Sequence, residues 1–465
     1  MAAIASCRQT HRVSIDARDP QEALDIRRYA IGQGGIDDTA LTPAAVERLK
    51  ALGLRTYRFF VQEYFRMMEA PGRYYWESID AMVLSAAATG AVPILSLAMK
   101  PACLYPAIDH HITEPSSWEH WDRFISDMVT HFARDLGLPG LWYEVGNEPD
   151  IGELGGCPYL FTADGYADYY AHTAKAVLRA DPTAKVGGPA LAGTDSERGG
   201  PITAALARRA QQEALPVDFY SWHTYDPAAE NLPGRIAAAR RRLVDLGPPL
   251  SAAPMVLDEW NISAMCSLQF GEFVQGAYVA DAVARMVDAR LEYSHYYHSM
   301  DITFHPDKFR PWFSPDGVEG MRRFWSPPFH GLHLMSPSGE TAAAYVTFRM
   351  LYALEGLRLA VERPSHNVGL LAARTERGCR LLIWNYHHEC LAPAELDLSI
   401  VGLPRGPLAE SHDALSGSLM DAECGNLMRQ GRMPRVSRRE IAAGSTWSKT
   451  LAVAPHSVHL ITVEA

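Results

Sequence analysis

The chain alternates short apolar runs with amphipathic stretches, and the alternation recurs eight times between residues 29 and 299. Each run is followed by a segment with helical spacing, at intervals of about 30 to 45 residues, which is typical of a closed parallel barrel surrounded by helices. The predicted strands are 29–34, 54–61, 92–98, 141–147, 185–189, 218–223, 255–259 and 292–299. We therefore predict the α/β class and a (β/α)8 TIM barrel.

A second, smaller domain is predicted after the barrel, because 465 residues exceed what one hydrophobic core usually supports. Short runs with strand character, separated by Pro, Gly and Ser, cover 368–373, 379–386, 394–400 and 457–463. This pattern indicates a β-sandwich appended to the barrel. We predict an N-terminal strand in residues 1–17 that joins the sandwich, the barrel in 18–355 and the sandwich in 356–465.

Composition and charge exclude several classes of partner. The formal net charge is -11, which disfavours binding to nucleic acid or to an anionic membrane surface. The N-terminus lacks the apolar core of a signal peptide, and no segment has the about 20 apolar residues that span a bilayer. The seven cysteines are scattered and form no CxxC pair, so we expect free thiols and a cytoplasmic protein. The sequence does not indicate an oligomeric state.

The fourth predicted strand ends in the triplet Asn147-Glu148-Pro149. Pro149 cannot donate to a strand ladder, so it ends the strand directly after Glu148. The carboxyl ends of barrel strands form the active-site face, and Glu148 is therefore expected there. A lone Glu at a strand end is more often in a surface salt bridge, but the neighbouring Asn147 can hold a substrate hydroxyl. We interpret Glu148 as a catalytic acid and Asn147 as a substrate-binding residue.

A second carboxylate, Glu259, ends the seventh predicted strand. Asp258 precedes it, and the alternation of side chains along a strand predicts that the two acids point to opposite sides. We predict that Glu259 enters the barrel mouth and that Asp258 faces the helix layer or a neighbouring loop. The alternative is that Asp258 is the functional acid. Retaining glycoside hydrolysis requires two carboxyl groups, and these two strand ends supply them.

Three further residues at strand ends have side chains that suit such a site. His223 and Tyr225 alternate to one face at the end of the sixth strand, and the Tyr225 phenol could donate to a nucleophilic carboxylate. Arg58, in the second strand, is a fixed cation that could orient either carboxylate. A structural ion pair for Arg58 and a buried core position for His223 are the alternatives.

Long segments follow the third, fourth and eighth strands, at 100–115, 150–162 and 300–328. The last of them carries Trp312, which we predict to contact substrate by stacking on a sugar face; the alternative is that it packs the loop. No metal or organic cofactor is expected. The pairs His110-His111 and His387-His388 are adjacent in sequence, which is poor geometry for coordinating one ion.

These motifs together resemble clan A glycoside hydrolases, in which an acid/base Glu follows Asn on the fourth strand and a nucleophilic Glu ends the seventh. More narrowly, the chain is similar to glycoside hydrolase family 39, which contains β-xylosidases and α-L-iduronidases. The segments that carry this likeness are Tyr57-Arg58-Phe59, Ile94-Leu95-Ser96-Leu97, Ser221-Trp222-His223-Thr224-Tyr225, Phe329-His330-Gly331-Leu332-His333-Leu334 and Leu382-Ile383-Trp384-Asn385-Tyr386. The resemblance implies Glu148 as acid/base, Glu259 as nucleophile and carboxyl groups about 5 to 5.5 Å apart.

The chain departs from the family pattern around the sugar. Gly146 stands where family xylosidases usually have Trp before Asn-Glu-Pro, and Phe60 stands where they have a sugar-contacting His. The eighth strand presents Tyr296 in place of Trp, and we expect Tyr296 to contact substrate. We therefore predict a β-xylosidase-like, exo-acting enzyme for short oligosaccharides with an altered glycone pocket. An α-L-arabinosidase, a uronide-releasing glycosidase, a transglycosidase and an inactive carbohydrate-binding barrel are the alternatives.

Overall fold

The computed structural model describes residues 9–34, 38–194, 196–264, 272–301, 304–324, 332–417, 422–441 and 446–465. Its strands are β1 (Gln9–Asp16), β2 (Pro20–Ala23), β3 (Tyr29–Gln33), β4 (Thr56–Val61), β5 (Met68–Ala70), β6 (Arg73–Tyr74), β7 (Val92–Leu97), β8 (Trp142–Val145), β9 (Lys185–Leu191), β10 (Tyr220–Tyr225), β11 (Met255–Asn261), β12 (Tyr293–Tyr297), β13 (Leu357–Leu359), β14 (Val368–Arg374), β15 (Gly378–Asn385), β16 (Ala394–Val401), β17 (Leu408–Leu415), β18 (Arg435–Ile441), β19 (Thr446–Val453) and β20 (Val458–Glu464). The helices are α1 (Pro43–Leu52), α2 (Glu77–Ala88), α3 (Trp118–Thr130), α4 (Ala163–Ala180), α5 (Gly199–Glu213), α6 (Leu232–Leu246), α7 (Glu272–Asp288), α8 (Pro306–Phe309), α9 (Pro315–Phe324), α10 (Ala343–Tyr352) and α11 (Ala422–Arg429).

Eight parallel strands close into a barrel in the order β3-β4-β7-β8-β9-β10-β11-β12, and β12 pairs back onto β3. Helices α1 to α7 follow the first seven barrel strands in turn, and α10 follows the eighth. The predicted fold class is confirmed, and each predicted barrel strand lies within two residues of the observed bounds. The carboxyl ends of the strands therefore gather at one face, as the barrel architecture requires.

The lower part of the barrel interior is filled by an apolar plug. Ile94, Trp142, Phe219 and Val256 are buried against one another, and Tyr293 packs at their edge. The ring centroids of Trp142 and Phe219 lie 5.4 Å apart. This plug gives the polar side chains above it a close-packed floor, which restricts their movement.

The barrel helices begin where the sequence supplies capping residues. Thr42 accepts a hydrogen bond from the Ala45 backbone N–H at the start of α1, and Ser117 and Thr162 do the same for α3 and α4. Gly53 ends α1 in the left-handed region, at φ 66°, where glycine avoids the steric cost of a Cβ. Local sequence thus fixes where these crossover helices start and stop.

The C-terminal strands form two sheets that enclose a second core. One sheet has the order β1-β16-β19, and the other has the order β18-β17-β20-β15-β14-β13-β2. Apolar side chains of both sheets, such as Ile15, Leu398 and Ile383, belong to one buried cluster. β1 pairs in parallel with β16, and β2 pairs with β13. Since β2 belongs to this sandwich, the predicted start of the barrel at residue 18 is too early.

A buried carboxylate fastens the sandwich to the barrel. Asp281 on α7 accepts hydrogen bonds from Trp384 Nε1 on β15, at 2.8 Å, and from the guanidinium of Arg363. Arg285, one turn along α7, donates to its other oxygen at 2.8 Å.

No helix in the described ranges is both long and apolar enough to cross a membrane.

Candidate active site

Glu148 sits in a sharp turn immediately after β8. Gly146 has φ 100° and Glu148 has φ 45°, so both lie in the left-handed region, which is costly for a residue with a side chain. Tyr166 on α4 donates from its hydroxyl to the Val145 backbone carbonyl at 2.7 Å and holds the end of the strand. The departure from Trp to Gly at position 146 is compatible with this turn, because glycine adopts positive φ at little cost.

The segment after Glu148 packs directly against its side chain. A Cβ added at Gly155, in the 3-10 turn Gly152–Gly155, would lie 1.7 Å from Glu148 Oε2. The Asn147 amide donates to the Gly155 carbonyl at 3.0 Å. Because Gly155 has no side chain, the Glu148 carboxylate can occupy this space.

Glu259 is brought into the barrel by an irregularity in β11. The β10–β11 register shifts between Trp222 and His223, so that Trp222 is opposite Leu257 and His223 is opposite Glu259. Asp258 is the additional residue in this bulge. Such an insertion disturbs the alternation of side chains, and the carboxylates of Asp258 and Glu259 both contact the interior residue Arg58. The prediction that Asp258 faces away from Glu259 is therefore wrong.

Arg58 is the centre of the buried polar network. Its Nε donates to Glu144 Oε2 at 2.7 Å, its Nη1 to Glu259 Oε1 at 2.7 Å and its Nη2 to Asn147 Oδ1 at 2.8 Å. Nη2 also lies 3.1 Å from Asp258 Oδ2. Burial alone would lower the pKa of Arg58, but the three carboxyl groups outweigh it and raise that pKa. Arg58, on β4, thus fixes residues of β8 and of β11 relative to one another.

Tyr225 and His223 connect the two glutamates. The Tyr225 hydroxyl donates to Glu259 Oε2 at 2.5 Å, and His223 Nδ1 lies 2.8 Å from Glu148 Oε1 and 3.5 Å from Glu259 Oε2. Burial, reinforced by the charge of Glu259, raises the pKa of Tyr225 well above its usual value, so the phenol remains a donor. Burial would lower the pKa of His223, but Glu259 and Asp258 raise it well above its usual value.

The two glutamates lie close together in unlike surroundings. One carboxylate oxygen of each and a ring nitrogen of His223 all lie within 4.8 Å of one another. Burial raises the pKa of Glu148 to about 7, although the hydrogen bond from His223 opposes this rise. Glu259, in contrast, accepts hydrogen bonds from the Arg58 guanidinium and from the Tyr225 hydroxyl. The two glutamates thus differ in their hydrogen-bond partners, which are His223 for Glu148 and Arg58 with Tyr225 for Glu259.

Two predicted substrate-binding residues lie elsewhere. Tyr296 donates to the Leu332 carbonyl at 2.7 Å and packs edge-on against Trp260 and Phe348, on the helix-facing side of β12. The prediction of sugar contact by Tyr296 is therefore wrong, because the alternation of the strand turns it outward.

Trp312 is buried in the loop after β12. Its Nε1 donates to the Lys308 carbonyl at 2.8 Å, and its ring stacks on Phe309 with centroids 4.9 Å apart. Only 4% of Trp312 is exposed, so in the structure it packs the loop, which is the alternative given for it above.

Tyr297 takes the place in the site that we assigned to Tyr296. It pairs with Gly32, which in turn pairs with Arg58, and its ring meets that of Tyr225 edge-on at 6.3 Å. Asn261 donates to its backbone carbonyl at 2.5 Å. A Cβ added at Gly34 would lie 1.9 Å from the Tyr297 hydroxyl, so that glycine leaves room for the phenol. The alternation of β12 and the spacing Gly32-x-Gly34 were the available signals.

The loops after β8 and β12 meet beside Glu148. Glu153, in the turn that packs on Glu148, accepts a 2.7 Å hydrogen bond from the Ser314 backbone N–H and contacts the Ser314 hydroxyl. Ser314 directly precedes α9, so the Glu153 carboxylate lies at the positive end of that helix. The two loops thus form one wall of the site.

The exposed histidine pair does not have the geometry of a metal site. His387 Nε2 and His388 Nδ1 lie 3.5 and 3.2 Å from Glu230 Oε1. The two imidazole rings are stacked, with only 20° between their planes. Imidazole binds a metal in its ring plane, and two nearly parallel planes do not converge on one ion. These distances instead describe contacts of both rings with the Glu230 carboxylate.

Comparison with known proteins identifies the family. Residues 63–396, which include Glu148 and Glu259, match the model for glycosyl hydrolases family 39. The chain belongs to this family. It is 24% identical over 349 residues to a β-xylosidase from Caldicellulosiruptor saccharolyticus, covering 69% of this chain and 65% of that protein. The matched part thus spans just under two thirds of that relative's length.

Solved structures share the whole architecture of this family 39 chain. A family 39 enzyme from Xanthomonas axonopodis pv. citri has a TM-score of 0.77 at 18% identity and covers 100% of this chain and 99% of its own. A monomeric β-xylosidase from Caulobacter crescentus CB15 has a TM-score of 0.74 at 19% identity, with coverage of 98% and 99%. At these identities the comparison shows a common fold.

Proposed function

We propose that this family 39 protein is a retaining glycosidase, with Glu259 as nucleophile and Glu148 as acid/base. The observation that carries the proposal is the short separation of the two glutamates, since one carboxyl oxygen of each lies within 4.8 Å of one of the other. Retaining enzymes have carboxyl groups about 5 to 5.5 Å apart, whereas inverting enzymes leave about 6.5 to 9.5 Å for a water. The contrasting surroundings of the two acids support the same assignment.

In the first step, a Glu259 oxygen attacks the anomeric carbon and the bond from that carbon to the leaving oxygen breaks. Glu148 gives its proton to the leaving oxygen, so the aglycone departs as an alcohol. A pKa of about 7 keeps much of Glu148 protonated near neutral pH. The products of this step are a glycosyl ester on Glu259 and an ionised Glu148.

In the second step, Glu148 removes a proton from water, and the resulting oxygen attacks the anomeric carbon and releases Glu259. His223, 2.8 Å from Glu148 Oε1, donates to the carboxylate form of Glu148 between the steps. When Glu259 regains its negative charge, Arg58 and Tyr225 donate hydrogen bonds to its carboxylate. No step in this sequence uses a metal or an organic cofactor.

For the glycone we propose a neutral, β-xyloside-like sugar bound in exo mode. In the described part of the site, the cations that contact the glutamates are Arg58 and His223, and both already face carboxylates. A uronide would need a further cation. Phe60 and Tyr297 form an apolar wall, with ring centroids 6.5 Å apart, which supports an altered glycone pocket relative to the family pattern. The joined loops at Glu153 and Ser314 support a pocket closed at one end.

Release of nitrophenol from aryl glycosides tests the function. The panel contains β-xyloside, α-L-arabinofuranoside, α-L-arabinopyranoside, β-glucoside, β-galactoside and a uronide, each with wild type, Glu259→Ala and Glu148→Ala. We expect hydrolysis of β-xyloside that Glu259→Ala abolishes, with the configuration at the anomeric carbon retained in the first product. If the enzyme cleaved the uronide faster than the neutral glycosides, the proposal of a neutral glycone would be refuted.

Two controls separate the alternatives. Addition of an alcohol acceptor distinguishes transglycosylation from hydrolysis, because a transglycosidase forms mainly the new glycoside. Oligosaccharide binding without turnover by the wild type would identify an inactive binding barrel.

We also propose a cytoplasmic location, supported by the free thiols of Cys103, Cys157 and Cys379; cell fractionation tests it.

A further inference from the structure

Four carboxyl groups and two cationic groups lie together in the described interior of the barrel mouth. They are the carboxyl groups of Glu144, Glu148, Asp258 and Glu259 and the cationic groups of Arg58 and His223. Side chains of Arg58, Glu144 and Asp258 are 1% exposed, and that of His223 is 0% exposed. Since isolated buried charges are costly, the numbers of positive and negative charges in this space should match. Two cations require two carboxylates, and the other two carboxyl groups must then carry protons.

Two of the four carboxyl groups face each other below the catalytic pair. Glu144 and Asp258 both contact the Arg58 guanidinium, Glu144 Oε2 at Nε (2.7 Å) and Asp258 Oδ2 at Nη2 (3.1 Å), and each carboxyl group affects the pKa of the other. Among the described residues, Glu144 Oε1 and both Asp258 oxygens receive no well-directed hydrogen bond, although all three atoms are buried. A proton between these two groups would satisfy oxygens on both sides, whereas two ionised groups in contact would repel.

We propose that Glu144 and Asp258 share one buried proton, carried by Glu144, and that the Asp258 carboxylate positions the His223 imidazolium against the acid/base Glu148. Asp258 Oδ2 lies 3.3 Å from His223 Nε2, on the side of the ring opposite to Glu148. Asp258 is thus a positioning residue that acts through His223. This inference rests on the retaining reaction proposed above and names residues of that same site.

The charge preferences of the neighbouring groups agree with this assignment. Burial and the nearby Asp258 charge raise the pKa of Glu144 to about 8, against the opposing effect of Arg58. Burial would raise the pKa of Asp258, but Arg58 and His223 outweigh it and lower that pKa. His295 on β12 also faces Asp258; burial lowers its pKa to about 3, so it stays neutral. Tyr220 on β10 has a raised pKa and stays neutral as well.

The consequence for catalysis concerns the charge state of His223. As an imidazolium, His223 donates to Glu148 whenever Glu148 is ionised, and so it stabilises the carboxylate that Glu148 becomes when it gives up its proton in the first step. Without the Asp258 carboxylate, His223 loses a counter-ion and becomes neutral at lower pH. Glu148 would then lose a charged donor, its pKa would rise, and the alkaline limit of activity would move upward.

The kinetic test compares Asp258→Asn with Glu144→Gln, two isosteric changes in one pair. For Asp258→Asn we expect kcat to fall by about tenfold or more and the alkaline limb of kcat/KM to move up by about one pH unit. For Glu144→Gln we expect that limb to stay within about 0.3 pH units, whatever happens to kcat, because the amide replaces a neutral acid. Equal shifts in the two variants, or an unshifted limb in Asp258→Asn, would overturn the proposal.

A spectroscopic test is independent of turnover. The infrared difference between wild type and Glu144→Gln at pH 6 should show the loss of a protonated-carboxyl C=O band. Loss of a carboxylate band instead would show that Glu144 is ionised and would overturn the proposal even if the enzyme is fully active. Absence of glycosidase activity in the wild type would refute the proposed function, while the infrared result would still decide the protonation of the pair. The Asp258→Asn profile keeps the proposal testable if Glu144→Gln does not fold.

Discussion

Replacement of Gly155 by alanine should disable the proposed acid/base Glu148 while leaving the proposed nucleophile Glu259 in place. The new Cβ would lie 1.7 Å from Glu148 Oε2 and 2.7 Å from Glu148 Cβ and Cδ, where contacts under 3.0 Å are essentially never found. The carboxylate must therefore move by more than about 1 Å, and a misplacement of that size costs about 100-fold in rate. Position 155 does not have positive φ, so alanine adds no backbone strain.

The assay varies the leaving group. A dinitrophenyl glycoside leaves without a proton, whereas an alkyl or unsubstituted phenyl glycoside needs one from Glu148. For Gly155→Ala we expect the rate of the glycosylation step to fall by about 100-fold with the poor leaving group and by less than about tenfold with the good one. The proposed nucleophile Glu259 lies on another strand, and the nearest atoms to the new Cβ all belong to Glu148.

Gly193→Ala is the matched control, because a Cβ at Gly193 meets nothing within 4 Å and its φ is not positive. This variant should resemble wild type with both leaving groups. The reasoning would be refuted if Gly155→Ala lost the same factor with good and poor leaving groups, or if its loss matched that of Gly193→Ala. Thermal unfolding of both variants shows whether a loss reflects the site or the fold.

Three further predictions concern the nucleophile, the domain contact and the sandwich. Tyr225→Phe removes the 2.5 Å donor to Glu259 and should lower kcat by about 10- to 100-fold, measured by steady-state kinetics; a change under threefold would contradict this. Asp281→Asn should lower the free energy of unfolding by about 2–3 kcal/mol in urea titrations, because Trp384 and Arg363 lose a charged acceptor, while kcat stays near that of wild type; an unchanged midpoint would contradict it. Burial lowers the pKa of His459 to about 3, so this histidine stays neutral in the folded protein. The unfolded chain, in contrast, binds a proton there below its ordinary pKa near 6.5, and a falling pH therefore favours the unfolded state. Urea stability should therefore fall between pH 7 and 5 by up to about 1.4 kcal/mol per unit for this histidine, and His459→Gln should reduce that slope; an identical slope in the variant would contradict it.

The barrel could be predicted from sequence because its signals are local. Each strand is a short apolar run, and the helices begin at Thr or Ser caps such as Thr42 and Ser117. The sandwich was harder to predict, since β17 contains His412 and Asp413 and most of β18 is exposed and charged, so neither has the apolar pattern of a strand. Pairing with β20 is what makes β17 a strand.

The site was only partly predictable because its geometry depends on contacts between distant segments. The strand-end motifs led to Glu148, Glu259, Arg58, His223 and Tyr225, which the structure brings together. For Tyr296 and Tyr297 the choice depends on which side of β12 faces the barrel, and this is set by pairing with β3. Two adjacent tyrosines give no composition signal that separates them.

The position of Asp258 shows how one inserted residue changes the chemistry of the site. In a regular strand, Asp258 and Glu259 would point to opposite sides, and the interior would hold three carboxyl groups for two cations. The bulge in β11 adds the fourth carboxyl group, next to Glu144 and His223. With three carboxyl groups and a protonated Glu148, Glu144 would have to ionise to balance Arg58 and His223. With four carboxyl groups, Glu144 can keep its proton while the Asp258 carboxylate pairs with the His223 imidazolium. The backbone irregularity therefore determines which of these carboxyl groups is ionised.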